Sequence, residues 1–546
     1  MARTSNDLMV RELKDSIKQL TETIKSLNET IESLRAREAY LQEQNDYLTK
    51  KLFGKSSEKN KAPIEGQMNL FNEAEEEARK FDDEPVTPQG TLVREYIRKP
   101  KATNDDKFAN LPIREEVIVL PDDKMSCPVC GTKLNRIGRQ HVRDEIQFIP
   151  AQMIRIKYYS AVYSCPECSS GNSPSGRGVI IKAGIPAPLI DSSPASPSSV
   201  AWVIYQKYAN SVPLYRQEQD WNRLHGVTLT RATLGKWVIR CSLDYLKLLY
   251  DFFHTELLKR KFCMADETPV QVLKEPGKSP QSDSYMWLFR SGEDGEPPLI
   301  LYHYTPSRAK YNAEAFLKGF NGYLETDGYQ GYNNLPGVKR CCCWAHVRRS
   351  FCDAIPKGKE KDLSEPAVQG VAYCDKLFDH ERMSREKGHT FEERYKYRLE
   401  KEKPVLEAFW KWLDSITPVP KTRLDKAKKY ALNMKELLET YLEDGRCSLS
   451  NNLSENSIRP FTVGRKNWLF SDSVNGAEAS AICYTMVEMA KAYNLNVYSY
   501  LKYILENHPV QGDPPELIAL LAPWNEEVQK VCGQTSNTTT NADSQK

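Results

Sequence analysis

Apolar residues recur at spacings of four and three through the N-terminal stretch: Leu13, Ile17, Leu20, Ile24, Leu27, Ile31, Leu34, Leu41, Leu48 and Leu52. This is a heptad seam with Ile at one position and Leu at the other, which in parallel coils favours two strands. Glu38 and Asn45 interrupt the Ile positions, and a buried Asn fixes register at some cost in stability. The pattern predicts a coiled-coil dimerisation zipper over 8–52; the alternative is a long amphipathic helix packed on its own domain. Over 53–91 the periodicity is lost, and the acidic runs Glu75-Glu76-Glu77 and Asp82-Asp83-Glu84 predict a flexible linker. Between 92 and 185, Val142–Ile149 and Met153–Tyr163 alternate partly and are rich in β-branched and aromatic residues, which predicts strands. A Pro/Ser-rich hinge opens a helical region over 186–255, with helices at Val200–Tyr208, Leu214–Leu224 and a third capped by Thr230. Helix, Gly226 turn and capped helix fit a helix-turn-helix that presents Arg231 and Lys236 to DNA, but many three-helix packings share the pattern.

From 256 to 510 the pattern turns strand-rich. Phe262–Ala265 reads as a buried strand that carries Asp266 at its tip and is stopped by Pro269. Tyr285–Arg290 and Leu299–Tyr304 follow, then a helix near Ala313–Phe320, then a strand ending at Asp327. Val338–Trp344 is a further apolar run, with a helix opening behind it at His346-Val347-Arg348-Arg349. Three antiparallel strands, a helix, a fourth strand and more helices is the order of an RNase H-like α/β core. Residues 352–446 read as a charged helical insertion, Ala477–Ala492 as an Ala-rich helix, 511–532 as a C-terminal segment and 533–546 as a disordered tail. The predicted fold class is multidomain α+β: coiled coil, small zinc-binding β unit, helix-turn-helix-like region, and catalytic core with helical insertion.

Chemistry enters at two clusters. Cys127-Pro-Val-Cys130 and Cys165-Pro-Glu-Cys168 form two knuckles that supply four thiolates to one tetrahedral, structural zinc; coincidental or redox pairs are the alternative. Asp266 alone reads as a turn-forming residue after a strand. Asp327 repeats its design, however, and Glu455 adds a third acid on a short helix. Three such carboxylates suit two divalent hard cations, magnesium or manganese, which allow like charges to converge and activate attacking and leaving oxygens in phosphoryl transfer. Net charge over the 546 residues is only +3, so global charge does not announce a nucleic-acid binder. The fourteen cysteines include Cys341-Cys342-Cys343 in succession, awkward for a disulfide framework. With no leader and no membrane-crossing run, a reducing cytosol is expected.

The ordered motifs resemble those of the IS-sixty-six type of insertion-sequence transposases, in the DDE superfamily. They are Leu52-Phe53-Gly54-Lys55-Ser56-Ser57-Glu58-Lys59, the four-cysteine unit, Val212-Pro213-Leu214-Tyr215-Arg216-Gln217-Glu218, Ala265-Asp266-Glu267-Thr268-Pro269, Asp327-Gly328-Tyr329 and Cys343-Trp344-Ala345-His346-Val347-Arg348-Arg349. The last is Asn451-Asn452 to Glu455 with Gly464-Arg465-Lys466-Asn467-Trp468-Leu469-Phe470. The resemblance implies metal-dependent cleavage at element ends and transfer of the freed 3′-hydroxyl into target DNA, with Asp266, Asp327 and Glu455 as catalytic acids. It also implies a bacterial, cytoplasmic, nucleoid-associated protein that acts on DNA, with small accessory proteins of the same element as further partners. Asn456 stands where the family often has Arg, and Arg459, one turn on, is the expected substitute. His346 is read either as a supporting residue or as a structural histidine. Arg348, Arg349, Arg465 and Lys466 are expected phosphate contacts, against the alternative of ordinary solvated charges. Other readings of the same motifs are a dimeric zinc-containing DNA-binding regulator and a nuclease that cleaves without joining.

Overall fold

The computed structural model describes residues 14, 17–35, 37–38, 41–42, 152–164 and 180–533. The linker 53–91, the zinc cysteines Cys127, Cys130, Cys165 and Cys168, and the tail beyond 533 lie outside the described residues. The described residues fall into two units. One holds the N-terminal helix together with Pro188–Trp221 and Thr228–Gly533; the other holds 152–164, 180–187 and Asn222–Val227. In the second unit β1 (Val162–Ser164) pairs antiparallel with β2 (Ile180–Lys182). Of the expected Met153–Tyr163 strand, only the C-terminal end is paired among the described residues.

In the first unit, residues 17–35 form a helix whose Ile17, Leu20, Ile24, Leu27, Ile31 and Leu34 are all exposed in the single chain. Four further helices lead to the sheet: α1 (Pro197–Ile204), α2 (Leu214–His225), α3 (Arg231–Cys241) and α4 (Lys247–Leu258). Helix α3 starts at Thr230, whose hydroxyl accepts from the Thr233 amide at 3.3 Å, the N-cap read from the sequence. Trp221 of α2 and Trp237 of α3 are buried together, ring centroids 6.4 Å apart.

The sheet has six strands: β3 (Phe262–Lys274), β4 (Asp283–Ser291), β5 (Ile300–Thr305), β6 (Gly322–Thr326), β7 (Val338–Cys342) and β8 (Phe470–Ser473). The order is β5-β4-β3-β6-β7, with β8 also beside β3. β3–β4 and β4–β5 are antiparallel, whereas β3–β6, β6–β7 and β3–β8 are parallel. Helix α5 (Lys310–Phe316) makes the crossover from β5 to β6.

Pro269 does not end β3. The strand continues to Lys274, so Asp266 lies within a long strand rather than at its tip. On one side β4 follows β3 without interruption from Cys263 to Gln271. On the other side β6 stops at Met264 and β8 begins only at Gln271. A strand tolerates proline where the missing N–H faces no partner. The Pro269 carbonyl points into this gap, where Arg465 donates to it, so the absent N–H costs no ladder bond there.

Helix α6 (Trp344–Asp353) follows β7. The insertion then supplies α7 (Pro366–Glu386), α8 (Phe391–Tyr397), α9 (Lys403–Ser415) and α10 (Arg423–Asn433). Cys341, Cys342 and Cys343 are buried free thiols that pack as small hydrophobes in one cluster with Trp344, Phe351, Phe409, Trp410 and Tyr441. The chain returns through α11 (Asn452–Trp468) and α12 (Val474–Ala492). Helix α12 is buried almost throughout Ala477–Ala490 because it is covered on both sides. Thr485 accepts from the Tyr302 amide of β5 at 2.9 Å, while Ser480 and Cys483 meet Tyr208 and Ser242 of the helical layer at 3.1 Å each. Small residues on every face follow from that sandwiched position.

Candidate active site

Helix α11 lies over the gap in β3 and is pinned at both ends. Asn451, just before it, donates from Nδ2 to the Ala265 carbonyl at 2.9 Å. Near its C-terminus Arg465 donates to Thr268 Oγ1 at 3.0 Å and to the Pro269 carbonyl. Buried Arg290 of β4 completes the attachment, donating to the Leu453 carbonyl at 3.2 Å and to Ser457 Oγ at 2.5 Å. Glu455 therefore stands in the first turn of a helix fixed to the strand that carries Asp266. A carboxylate there also gains from the unsatisfied N–H groups and the positive end of the helix dipole.

Asp327 arrives from the adjacent strand. Its Oδ1 accepts from the Tyr329 amide at 2.9 Å, closing the turn after β6. Arg340 donates to the Asp327 carbonyl and, at 2.8 Å, to Thr326 Oγ1, and the Thr326 hydroxyl donates to the same carbonyl at 3.0 Å. The turn is thus held through both the Asp327 carbonyl and its carboxylate, and the carboxylate's charge reaches Asp266.

The acids are electrostatically joined. Burial first, then the carboxylates of Glu267, Glu455 and Asp327, push the Asp266 carboxyl well above the usual aspartate range. Only one hydrogen bond opposes this, from the Glu267 amide to Asp266 Oδ1 at 2.8 Å. Glu455 Oε1 is shielded from solvent and has no hydrogen-bond partner. A buried carboxyl whose proton affinity is raised by neighbouring acids, beside a Glu455 oxygen left unsatisfied, fits a divalent cation, which supplies the missing positive charge. Glu267 is occupied otherwise: burial pushes its carboxyl up, while the Tyr332 hydroxyl and the Arg308 guanidinium, both bonded to it, oppose the rise.

The predicted basic residues divide. Arg349 sits with its guanidinium 3.5 Å from Glu455 Oε2, putting a positive charge beside the acids where Asn456 does not. His346 Nε2 is 3.7 Å from Glu455 Oε1. Arg459, the expected substitute for Asn456, lines a pocket with Tyr208, Ser211 and Val463. Arg348 is turned away into an ion pair with Asp375 at 2.6 Å. Arg465 binds β3 as described, so its guanidinium is committed to the protein's own backbone. Lys466, Arg231 and Lys236 are exposed, with Arg231 over the Tyr215 ring at 5.5 Å. Arg290, Arg340 and the positioning role of Asn451 were missed from sequence. Asn451 lay inside a recognised motif, but nothing marked the two arginines as buried.

The model of the Transposase IS66 family matches residues 192–479, which includes all three acids. The model described as the zinc-finger binding domain of transposase IS66 matches 125–169, which spans the four knuckle cysteines. A third, described as Transposase C of IS166 homeodomain, matches 40–117. Among curated proteins, the uncharacterized protein y4jD of Sinorhizobium fredii is 28% identical over 460 residues, 81% of this chain and 86% of that protein. The uncharacterized protein y4qI of the same organism is 30% identical over 366 residues, 64% of this chain and 66% of its own length.

Proposed function

The chain belongs to the Transposase IS66 family, and from that premise we propose that it cleaves DNA at the ends of an insertion sequence and joins the freed 3′-hydroxyl to target DNA. What supports the proposal is the electrostatic influence of Asp327 and Glu455 on buried Asp266, whose carboxyl they help to push well above the usual aspartate range. The sheet order, with three antiparallel strands followed by parallel β6 and β7, supports an RNase H-like reading of the core. Asp266, Asp327 and Glu455 would hold two magnesium or manganese ions, which when bound activate the attacking oxygen and stabilise the leaving one. Asn451 and Arg290 keep Glu455 registered against Asp266, and Arg340 keeps the Asp327 turn in place. Arg349 offsets part of the negative charge as a phosphodiester approaches. Exposed Arg231, Lys236 and Lys466 are the candidate phosphate contacts that remain.

The test is strand transfer with purified protein and labelled element-end DNA in magnesium. Ends with a 3′-hydroxyl should become covalently joined to target DNA, and ends with a 3′-deoxy terminus should not. Cleavage without joining would instead favour the nuclease, and binding without cleavage the regulator.

The raised Asp266 carboxyl sets a pH dependence in protein stripped of divalent ions. The folded state keeps a proton that the unfolded chain has released, so its stability falls as pH rises from the ordinary aspartate range toward the raised value. Asp266→Asn should remove that component. Urea midpoints of the two proteins, compared across pH, check it, and parallel profiles would contradict it.

The knuckle cysteines are proposed as ligands of the zinc that the zinc-finger match supports. The exposed Ile/Leu stripe of residues 17–35 supports a parallel dimer through the zipper. Replacing both Ile24 and Leu27 by Asp should convert dimers to monomers in sedimentation equilibrium, and an unchanged mass would rule the zipper out.

A further inference from the structure

Cys343 lies between β7 and α6, and His346 is on the first turn of that helix. Their side chains meet Glu455 from α11: the Cys343 sulfur, a His346 ring nitrogen and a Glu455 carboxylate oxygen all lie within 4.8 Å of one another. The sulfur is held in place, since it accepts from the Asn451 amide at 3.1 Å, and Asn451 is in turn tied to β3. Two other polar atoms of the trio, His346 Nδ1 and Glu455 Oε1, are shielded from solvent without a hydrogen-bond partner. Orphaned buried polar atoms on neighbouring residues need an explanation, and an absent ligand is one of the standard ones.

We infer that Cys343, His346 and Glu455 form a site for one thiophilic divalent ion of the zinc or cadmium class. The ligand chemistry selects the ion. A thiolate with an imidazole and a carboxylate suits a borderline-soft cation, whereas magnesium takes oxygen ligands and keeps its waters. The edge of a zinc tetrahedron with sulfur and nitrogen ligands is about 3.5 Å, within side-chain adjustment of the spacing here. Three protein ligands leave a fourth position open. Binding displaces the Cys343 thiol proton to solvent, so a formally neutral Cys–His pair becomes an anionic ligand set.

The site shares Glu455 with the three-acid cluster, which gives it a regulatory consequence that rests on the function proposed above. A Glu455 oxygen bound beside the sulfur and imidazole is not available to a cation held by Asp266 and Asp327. A thiophilic ion in this site therefore opposes the hard cations of catalysis.

The test is a cadmium titration of the full-length protein, its four-cysteine unit already filled with zinc, in excess magnesium. Thiolate-to-cadmium charge-transfer absorption reports binding without any turnover. Wild type should bind one equivalent that His346→Gln lacks. That variant keeps the thiol in place, so it remains informative if Cys343→Ser fails to fold. Equal cadmium stoichiometry in wild type and His346→Gln would overturn the site. Because the readout does not involve DNA, failure of the transposase reading would leave this result unchanged, and joining in magnesium measured alongside separates the two.

Discussion

Asp266→Asn and Glu455→Gln should each lower cleavage and joining by about 10³-fold or more while DNA retention in a gel stays within a fewfold of wild type. Each substitution preserves shape and removes one negative charge from a site built on charge. The structural cost should be small for Asp266, because its carboxyl accepts only one backbone hydrogen bond and is strained electrostatically by its neighbours. Removing the Asp266 charge relieves its repulsion with Glu267, Glu455 and Asp327, so Asp266→Asn protein should be no less stable than wild type in the absence of divalent ions. Lost activity without lost stability and with retained DNA binding separates a catalytic role from a structural one. Residual joining within tenfold of wild type in both variants would exclude these residues as metal ligands.

Arg398→Met should cost roughly 3–5 kcal/mol of stability, the range for removing one partner of a buried ion pair. Arg398 is fully buried, and each of its three guanidinium nitrogens donates to the helical insertion or to the segment just after it. Its Nε donates to Glu381 at 2.5 Å, and its terminal nitrogens donate to the carbonyls of Tyr441, Asp444 and Cys447 at 2.9, 3.0 and 2.8 Å. The variant removes the cation bonded to the buried Glu381 carboxylate, leaving only the more weakly acting Arg394 and Glu402 to stabilise it, and frees the segment that runs from Tyr441 toward Asn451. Adding Glu381→Gln should recover much of the loss, since the isolated charge rather than the missing pair dominates the cost. Urea midpoints of the single and double variants decide the matter. A double variant less stable than Arg398→Met would show that the Glu381 charge is satisfied by other groups.

What the sequence disclosed depended on whether a residue's role is set by its neighbours along the chain or by those across the fold. Strands β4, β5, β6 and β7 lie within a few residues of the apolar runs that announced them, because most of their residues are buried and burial on both faces favours a continuous apolar run. Asp266 and Asp327 stood out because each follows an apolar run with a charge that packing does not explain, and Glu455 because it adds a third acid on a helix. The length of β3 was hidden, since Pro269 reads as a strand stop unless the gap beside it is known. β8 was hidden for the same reason: Phe470–Ser473 has little strand character of its own and takes its conformation from pairing with Gln271–Lys274. Basic residues were the least legible. Arg348, Arg349 and Arg465 looked alike in sequence, yet one pairs with Asp375, one approaches Glu455 and one binds a carbonyl of β3. Nothing in local periodicity distinguishes a guanidinium facing solvent from one that crosses to another element. The cysteine triplet points in sequence to reducing surroundings; its place in the fold, with all three thiols buried and free and Cys343 meeting Glu455, was not legible there.

The central claim is that these carboxylates hold the metal ions of strand transfer, and exchanging a ligand for sulfur tests it most directly. Asp266→Cys protein should be inactive in magnesium, which binds thiolate poorly, and should regain at least tenfold of its joining rate in manganese, which tolerates the softer ligand better. Equal loss of joining in both metals, with folding and DNA binding intact, would contradict direct ligation by Asp266.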